Sequence, residues 1–334
     1  MPSWFIVLLN ILMLFVIILL GWGAYRLRYL NWESTVLLSR FLVDITIPAL
    51  VFTQMIHTVD WPALRHDWLL PLLGVAIILL GLFTGWITAP FWSRPHQRPT
   101  YLFLASIANW VYLPLPIASA LYGDAGVRAV LLYNVGAQIA LWTVGISVLG
   151  EGRSQRHVAY ELLVNPGLIA TVLGIVVALV VPSSKLLLLP NALPGSSWIA
   201  LVLRSFMQAV LLVGNLTIPL ALLVTGAQLG ALDFTGPRPV RALTGVLIAR
   251  LLLTPALALL LFAGLAVVFT VMRDPVIVTI GILIAGMPVA INAGMFAERF
   301  GGDIALASRA VFYSTLCSML TVPLLIAVHG WISS

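Results

Sequence analysis

The sequence GMPVAIN at residues 286–292 interrupts an otherwise apolar segment near its middle. A second polar and proline-rich stretch, NWVYLPLP at residues 109–116, interrupts another apolar segment in the same way. Proline inside a helix removes a backbone donor, and a bilayer offers no water to satisfy the freed groups. We therefore predict two interrupted helices whose free backbone groups face protein or a cavity. The alternative is a simple proline kink in each helix.

Composition places both stretches in a membrane protein. The chain has 334 residues, of which 61% are hydrophobic and 8% charged. Soluble domains carry about 25% charged residues, so a water-soluble enzyme is excluded. The basic residues behind the net charge of +6 are scattered singly, which argues against a nucleic-acid partner.

Apolar segments of about 20 residues recur along the chain, and each can cross the bilayer as a helix. The sequence predicts an all-α polytopic protein whose ten spans are Phe5–Tyr25, Val36–Ile56, Trp68–Phe91, Tyr101–Tyr122, Ala129–Leu149, Leu168–Val181, Leu201–Leu229, Ala242–Val268, Val276–Phe296 and Ala310–Val328.

The distribution of basic residues predicts the orientation in the membrane. The loops after odd-numbered spans hold ten basic residues: Arg26, Arg28, Arg94, Arg98, Arg153, Arg156, Arg238, Arg241, Arg299 and Arg309. The other loops hold four: Arg65, Arg128, Lys185 and Arg273. Arg40, Arg204 and Arg250 lie inside spans or at their margins and are not counted. Since cytoplasmic loops are enriched in Lys and Arg, we expect an integral protein of the cell membrane with both termini extracytoplasmic.

Short motifs recur in the two halves of the chain. DITIP at residues 44–48 returns as NLTIP at 215–219, an offset of 215 minus 44, or 171, and RAV at 128–130 returns at 309–311, an offset of 181. We infer two repeats, residues 1–155 and 156–334. With five spans each, the repeats must be inverted in the membrane, an arrangement that favours alternating access over catalysis.

Both interruptions fall in the fourth span of their repeat, so symmetry predicts that spans 4 and 9 cross near the midplane. The second half of each broken helix would begin there with free N–H groups and a positive dipole end, which favours an anion such as a small organic carboxylate. The alternative is that each Asn only satisfies freed groups of its own interruption. The candidate substrate-binding residues are Asn109, Tyr112, Pro114, Pro116, Met287, Pro288 and Asn292.

Asp44 is the only acidic residue well inside an apolar span. Such a carboxylate is a candidate proton-coupling site, or it could form an ion pair with Arg40 one turn away. Asn134 and Gln138 share one face of span 5 and could line the cavity or join helices. Further supporting polar residues in spans 2 and 7 are Thr46, Asn215 and Thr217.

Neither a metal, a cofactor nor a catalytic group is predicted. No histidine pairs with an acidic residue or another histidine at a metal-ligand spacing inside a span. The single Cys317 allows no disulfide within the chain.

Four motifs carry a family resemblance: TIPALVF at 46–52, TIPLALLVTGA at 217–227, MPVAINA at 287–293 and AERFGGD at 297–303. They resemble the auxin efflux carrier family of membrane transporters, which is related to PIN-type auxin carriers and more distantly to the bile-acid sodium symporter fold. The resemblance implies ten spans in two inverted halves, with a scaffold domain of spans 1, 2, 6 and 7 and a transport domain of spans 3–5 and 8–10. It further implies transport of organic anions such as auxins, malate or malonate, an elevator motion, and a homodimer.

The sequence departs from the family in two places. Val111 and Pro114 stand where the family usually has glycines in span 4, which implies a narrower and stiffer site. Asp44 stands where the family more often has Asn. Two alternatives stay open: a sodium-coupled symporter of the bile-acid type, and a polytopic lipid-modifying enzyme, against which the absence of clustered catalytic residues argues.

Overall fold

The computed structural model describes residues 3–150, 160, 162–188, 198–232 and 239–333, and the side chains from residue 12 to residue 330 within them. This part of the chain is helical, and its only β interaction is one isolated bridge between Ala108 and Val289. The prediction of an all-α protein is confirmed for the described residues.

The helices, numbered in chain order, overlap the predicted spans. They are α1 Ser3–Arg26, α2 Trp32–Phe41, α3 Ile47–Thr58, α4 Trp61–Asp67, α5 Leu70–Trp92, α6 Arg98–Ser106, α7 Pro114–Ala140, α8 Ile146–Leu149, α9 Pro166–Val180, α10 Trp198–Asn215, α11 Thr217–Ala231, α12 Val240–Ile248, α13 Thr254–Val268, α14 Pro275–Ala285, α15 Ala293–Arg299 and α16 Ile304–Ser333. Span 4 is in two pieces, α6 and the start of α7, and span 9 is in two pieces, α14 and α15.

Two π-helical turns stand just before prolines. Leu42–Thr46 links α2 to α3 and is followed by Pro48, and Ala249–Leu253 links α12 to α13 and is followed by Pro255. Because proline lacks an N–H and its ring collides with the preceding turn, the regular hydrogen-bond ladder shifts there. The two turns place Asp44 and Arg250 at positions that a regular helix would not.

Span 5 begins earlier than predicted. The residues between Tyr122 and Ala129 were expected to form a loop, but α7 continues through them with a bend at Gly123. Gly123 has a φ of 55°, in the left-handed region that glycine adopts readily. The bend lets one continuous helical segment serve both the end of span 4 and the start of span 5.

Six helical segments are long and apolar enough to cross a membrane: Trp32–Thr58, Trp61–Trp92, Pro114–Leu149, Trp198–Ala231, Val240–Val268 and Ile304–Gly330. A seventh candidate combines Pro166–Val180 with Pro182–Leu188, which are bent by 112°. Three pieces of the interrupted helices, α6, α14 and α15, are individually too short for the same test. These segments support an integral membrane protein, and the count of ten spans stays a prediction.

The helices pack mainly within two groups. In the first group, α1 packs along α11, and α3 packs against α9 and α10. In the second, α5 packs against α6 and α7, and α14 packs against α7 and α13. The tightest approach in the first group needs glycine, since a Cβ atom at Gly226 would overlap the carbonyl oxygen of Ile18. The groups meet where α1 contacts α7 and α16, and where α3 contacts α7.

Candidate functional site

The two interruptions, residues 107–113 and 286–292, lie side by side and bond to each other. The N–H of Asn109 donates to the carbonyl of Pro288 over 2.8 Å, and the N–H of Ala290 donates to the carbonyl of Ile107 over 3.1 Å. This short antiparallel pairing satisfies some of the backbone groups that leave their helices. The predicted meeting of the two proline-rich stretches is thus seen as a direct backbone contact.

Arg250 supports both interruptions. Its side chain is fully buried and donates four hydrogen bonds to backbone carbonyls: Nε to Met287 over 3.0 Å, Nη1 to Ala105 over 3.3 Å, and Nη2 to Ile284 and Ala285 over 3.2 and 2.9 Å. These carbonyls lie at the carboxyl ends of α6 and α14, where unpaired acceptors and a negative dipole end favour a cation. The planar fork of N–H donors suits such a cluster better than a lysine would.

No carboxylate forms an ion pair with Arg250 within the described residues. The junction of the interruptions therefore carries a positive charge that only carbonyl dipoles balance. Sequence reasoning missed this residue by treating it as a residue at a span margin. The sequence did contain a signal for it, because an ionisable side chain inside an apolar span is a functional candidate by default.

Ser314 in α16 supports the second interruption from the other side. Its buried hydroxyl oxygen accepts the N–H of Val289 over 3.1 Å. Sequence reasoning missed this residue as well, since one serine in a transmembrane helix carries no distinctive pattern. The second interruption thus depends on partners from both the π-turn at Arg250 and α16.

Asn109 is buried and closes its own segment. Its side-chain oxygen accepts the N–H of Tyr112 over 3.1 Å, three residues further along the chain. This contact is the local role that the sequence left open as the alternative to substrate binding. The side-chain nitrogen carries two N–H groups, which are the donors that a carboxylate would need.

Tyr112 lies where the two helix groups meet. Its ring is buried and packs with Leu42, in the π-turn after α2, and Ala221, in α11. Its hydroxyl group lies near the side chains of Ser39 and Asn292. The first interruption is therefore in contact with the first group of helices through one aromatic side chain.

Two polar atoms in the interruptions lack a hydrogen-bond partner among the described residues. They are the side-chain oxygen of Asn292 and the indole nitrogen of Trp110. Buried polar groups are normally paired, so such atoms are candidates for contact with water or a ligand. Asn292 was predicted as a site residue, whereas Trp110 was not.

The remaining predicted site residues, Pro114, Pro116, Met287 and Pro288, are buried in or next to the interruptions. The two prolines at the start of α7 have no N–H, and the intervening Leu115 N–H donates to the carbonyl of Val111 over 3.1 Å. The amino end of α7 thus exposes fewer free donors than the helix-dipole argument supposed.

The supporting polar residues differ in their surroundings. Asp44 and Asn215 are exposed, and Asp44 forms no salt bridge with Arg40. The ion pair between Asp44 and Arg40, which the sequence left open as the alternative to proton coupling, is therefore not formed; Asp44 lies in the π-turn that follows α2. Gln138 is half-buried in α7.

Three of these residues are turned inward. Thr46 is buried and donates to the carbonyl of Leu42 over 3.2 Å. Thr217 is fully buried, and its hydroxyl lacks a partner among the described residues. The side-chain oxygen of Asn134, in half-buried surroundings on α7, also lacks one within that part of the chain.

A polar link joins the two helix groups away from the interruptions. Gln54 in α3 donates to Asp124 in α7 over 2.9 Å, and the His57 ring lies 3.4 Å from the same carboxylate. Arg128 in α7 donates to the carbonyl of Thr58 over 3.1 Å and to Asp67 over 2.8 Å. Movement of α3 against α7 would break the contacts of Asp124 with Gln54 and His57 and the contact of Arg128 with the carbonyl of Thr58.

Known proteins match the chain along its length. The family model described as "Membrane transport protein" matches residues 6–159 and 152–326. An uncharacterized transporter of Methanothermobacter thermautotrophicus is 25% identical over 94% of this chain and 96% of its own length. Protein PIN-LIKES 1 of Arabidopsis thaliana is 23% identical over 90% of this chain and 74% of its own length. These matches agree with the motifs and with the apolar helices, so the chain is an integral membrane transporter rather than an enzyme and belongs to the auxin efflux carrier family.

Proposed function

We propose that the protein is a secondary transporter of small organic anions that binds its substrate beside the two interruptions. The observation that carries this proposal is the buried positive charge of Arg250, which no carboxylate balances in the described part of the chain. Opposite unit charges attract by about 4 kcal/mol at 4 Å when the effective dielectric constant is about 20, and by about half that at 8 Å. An anion in this region is favoured and a cation is repelled.

The substrate contacts in this proposal come from three side chains of the interruptions. Trp110 has an indole N–H without a partner among the described residues, Asn292 has an amide NH₂ group that can donate, and Tyr112 carries a hydroxyl group. An indole or amide N–H that finds no partner in the protein can donate to a carboxylate oxygen. The aromatic rings suit a carboxylate with an apolar body, such as an auxin.

Alternating access would follow from movement of one helix group against the other. In the proposed architecture, ten spans form two inverted repeats, spans 1, 2, 6 and 7 form the scaffold, and spans 3–5 and 8–10 carry the substrate by an elevator motion. Support comes from the packing of the helices within two groups and from Tyr112 at their contact. Because Asn109 and Tyr112 are at most 9% exposed, substrate could reach them only after the groups separate.

Proton coupling through Asp44 is part of the proposal. Support comes from its exposed position in the π-turn before α3 and from the absence of an ion pair with Arg40. We expect Asp44→Asn to flatten the pH dependence of transport without loss of the fold, as measured by uptake across a pH series. A wild-type pH profile in this variant would assign Asp44 a structural role.

The test uses purified protein in liposomes with radiolabelled indole-3-acetate, malate and malonate, each in sodium and in choline medium. We expect saturable uptake of at least one unaltered carboxylate and none of choline. Uptake that requires Na⁺ at fixed pH would replace the proposal with a sodium-coupled symporter. Failure of every carboxylate to be transported or to raise the melting temperature would reject organic anions as substrates.

Topology and assembly complete the proposal. We place both termini on the extracytoplasmic side of the cell membrane and expect a homodimer. Labelling of a cysteine introduced at Ser334 by an impermeant reagent tests the first point, and labelling only from the cytoplasm would invert the orientation. Light scattering of the detergent-solubilised protein tests the second.

A further inference from the structure

Arg250 occupies a place where a carrier with interrupted helices would be expected to hold a metal cation. Its guanidinium group lies among the carbonyl oxygens of Ala105, Ile284, Ala285 and Met287, at the carboxyl ends of two broken helices. In such carriers the unwound carbonyls and helix carboxyl ends coordinate the coupling Na⁺ or H⁺. Here those acceptors are already engaged by a side chain of the same protein.

We propose that Arg250 is a positioning residue that acts as a resident cation: its guanidinium group holds the ends of α6 and α14 together in place of a bound metal ion. The inference deepens the proposed function, on which it rests for the identity of the anion. The fixed charge would give the interruptions their positive potential in every cycle, without the arrival or departure of an ion.

The surroundings of the guanidinium group are built to keep it in place. Gly81 in α5 faces it, and a Cβ atom at that position would lie 3.2 Å from Nη1 and 2.6 Å from the carbonyl oxygen of Ala105. Thr84, three residues further along α5, bonds over 3.0 Å to Thr254, which also donates to the carbonyl of Ala249 next to Arg250. Thus α5 faces the guanidinium group through Gly81 and is bonded through Thr84 to Thr254, the residue after the π-turn that carries Arg250.

The charge is permanent for chemical reasons. Arginine does not lose its proton in proteins, whereas a bound Na⁺ exchanges with solvent. The carbonyl oxygens are partial negative charges at helix ends, and they stabilise the buried cation without neutralising it. The positive potential therefore belongs to the protein itself and does not require a bound ion.

Chemical rescue tests this role in the full-length protein. We compare the melting temperatures of wild type, Arg250→Ala and Arg250→Lys in choline medium, with low-millimolar additions of guanidinium, Na⁺ or urea. Arg250→Ala should lower the melting temperature by at least about 5 °C, because several buried carbonyls lose their donors. Guanidinium should restore about half of that loss or more, while urea, which has a similar shape and no charge, should not.

The matched control is Arg40→Ala, which removes an exposed arginine from another span. We expect little change in its melting temperature and no rescue by guanidinium. Arg250→Lys should lie between wild type and Arg250→Ala, because lysine keeps the charge and loses the fork.

Several outcomes would overturn the proposal. They are a wild-type melting temperature for Arg250→Ala, equal rescue by urea and guanidinium, or stabilisation of the wild type by Na⁺ over choline. If Arg250→Ala does not fold, two other results test the proposal. The wild type should not be stabilised by Na⁺ over choline, and Arg250→Lys should fold with a lower melting temperature than the wild type. Guanidinium rescue together with no response to indole-3-acetate, malate or malonate would reject the proposed function and support the resident cation.

Discussion

The two interruptions look alike in sequence but are stabilised in different ways. The first, at residues 107–113, is closed largely by its own chain, with Asn109 accepting the N–H of Tyr112 and Val111 accepting that of Leu115. The second, at residues 286–292, depends on side chains from distant helices, namely Arg250 and Ser314. Beyond the backbone pairing and the Arg250 contacts that they share, the first interruption is thus closed mainly by its own segment, and the second mainly by side chains from distant helices.

This difference separates two asparagines that the sequence treats as equivalent. Asn109 is 3% exposed, and its oxygen is used by the backbone of its own segment. Asn292 is half-buried, and its oxygen has no partner among the described residues. The oxygen of Asn109 holds its side chain to its own segment, whereas the oxygen of Asn292 forms no such bond among the described residues. We therefore expect Asn292 to turn its amide N–H groups toward a carboxylate and Asn109 to serve mainly stability.

The largest expected effect concerns the contact of α5 with the end of α6. Gly81→Leu would push its new side chain against the backbone of Ala105 and Ser106, displacing both the first interruption and Arg250. We expect a loss of about 3 kcal/mol in the free energy of unfolding. The control is Gly264→Leu, where a Cβ atom would meet nothing within 4 Å. Equal melting temperatures for the two variants would show that the close approach is not needed.

Asn292→Ala tests the binding role of the second interruption. The loss of one hydrogen bond to a carboxylate should cost about 1.5 to 3 kcal/mol, or roughly 10- to 150-fold in affinity, with little change in ligand-free stability. Binding and melting are measured on the same variant with indole-3-acetate as the probe. Asn215→Ala, which removes an exposed Asn outside residues 107–113 and 286–292, is the control. An unchanged affinity in Asn292→Ala would show that the substrate does not bind at this residue.

Asn109→Ala tests the structural role of the first interruption. It leaves the N–H of Tyr112 without its acceptor, so the free energy of unfolding should fall by about 1 to 2 kcal/mol. We expect the folded fraction to bind the probe with affinity reduced by less than about fivefold, or about 1 kcal/mol. A loss of affinity as large as that of Asn292→Ala would show that both asparagines bind the substrate. A double mutant with strongly non-additive binding would support the same conclusion.

Of the four substitutions, Ser314→Ala should have the smallest effect. It removes the acceptor for the N–H of Val289 and should cost about 1 kcal/mol in stability. The control is Ser205→Ala, whose exposed hydroxyl donates only to the carbonyl of Leu201 in its own helix. If the two serine variants have the same melting temperature, the hydrogen bond of Ser314 adds no stability, and Arg250 would be the side chain that supports the second interruption.

Local patterns determined the helices, their interruptions and the family. Hydrophobic segments of membrane-spanning length and the prolines in them act through neighbouring residues, so they can be read without knowledge of the fold. This is why the interruptions were predicted near residues 109–116 and 286–292. The start of span 5 was less predictable, because continuation of the helix through Gly123 depends on one backbone conformation.

Only the tertiary structure decided which side chains satisfy the interruptions. Arg250 is separated by 145 residues from Ala105 and by 37 from Met287, and Ser314 is 25 residues from Val289. Carbonyl groups at the end of an interrupted helix lack an intrahelical hydrogen-bond donor, and many different side chains could supply one. Which one does depends on how distant helices pack, and that is also why Asn109 and Asn292, so similar in sequence, differ in what they leave free for a substrate.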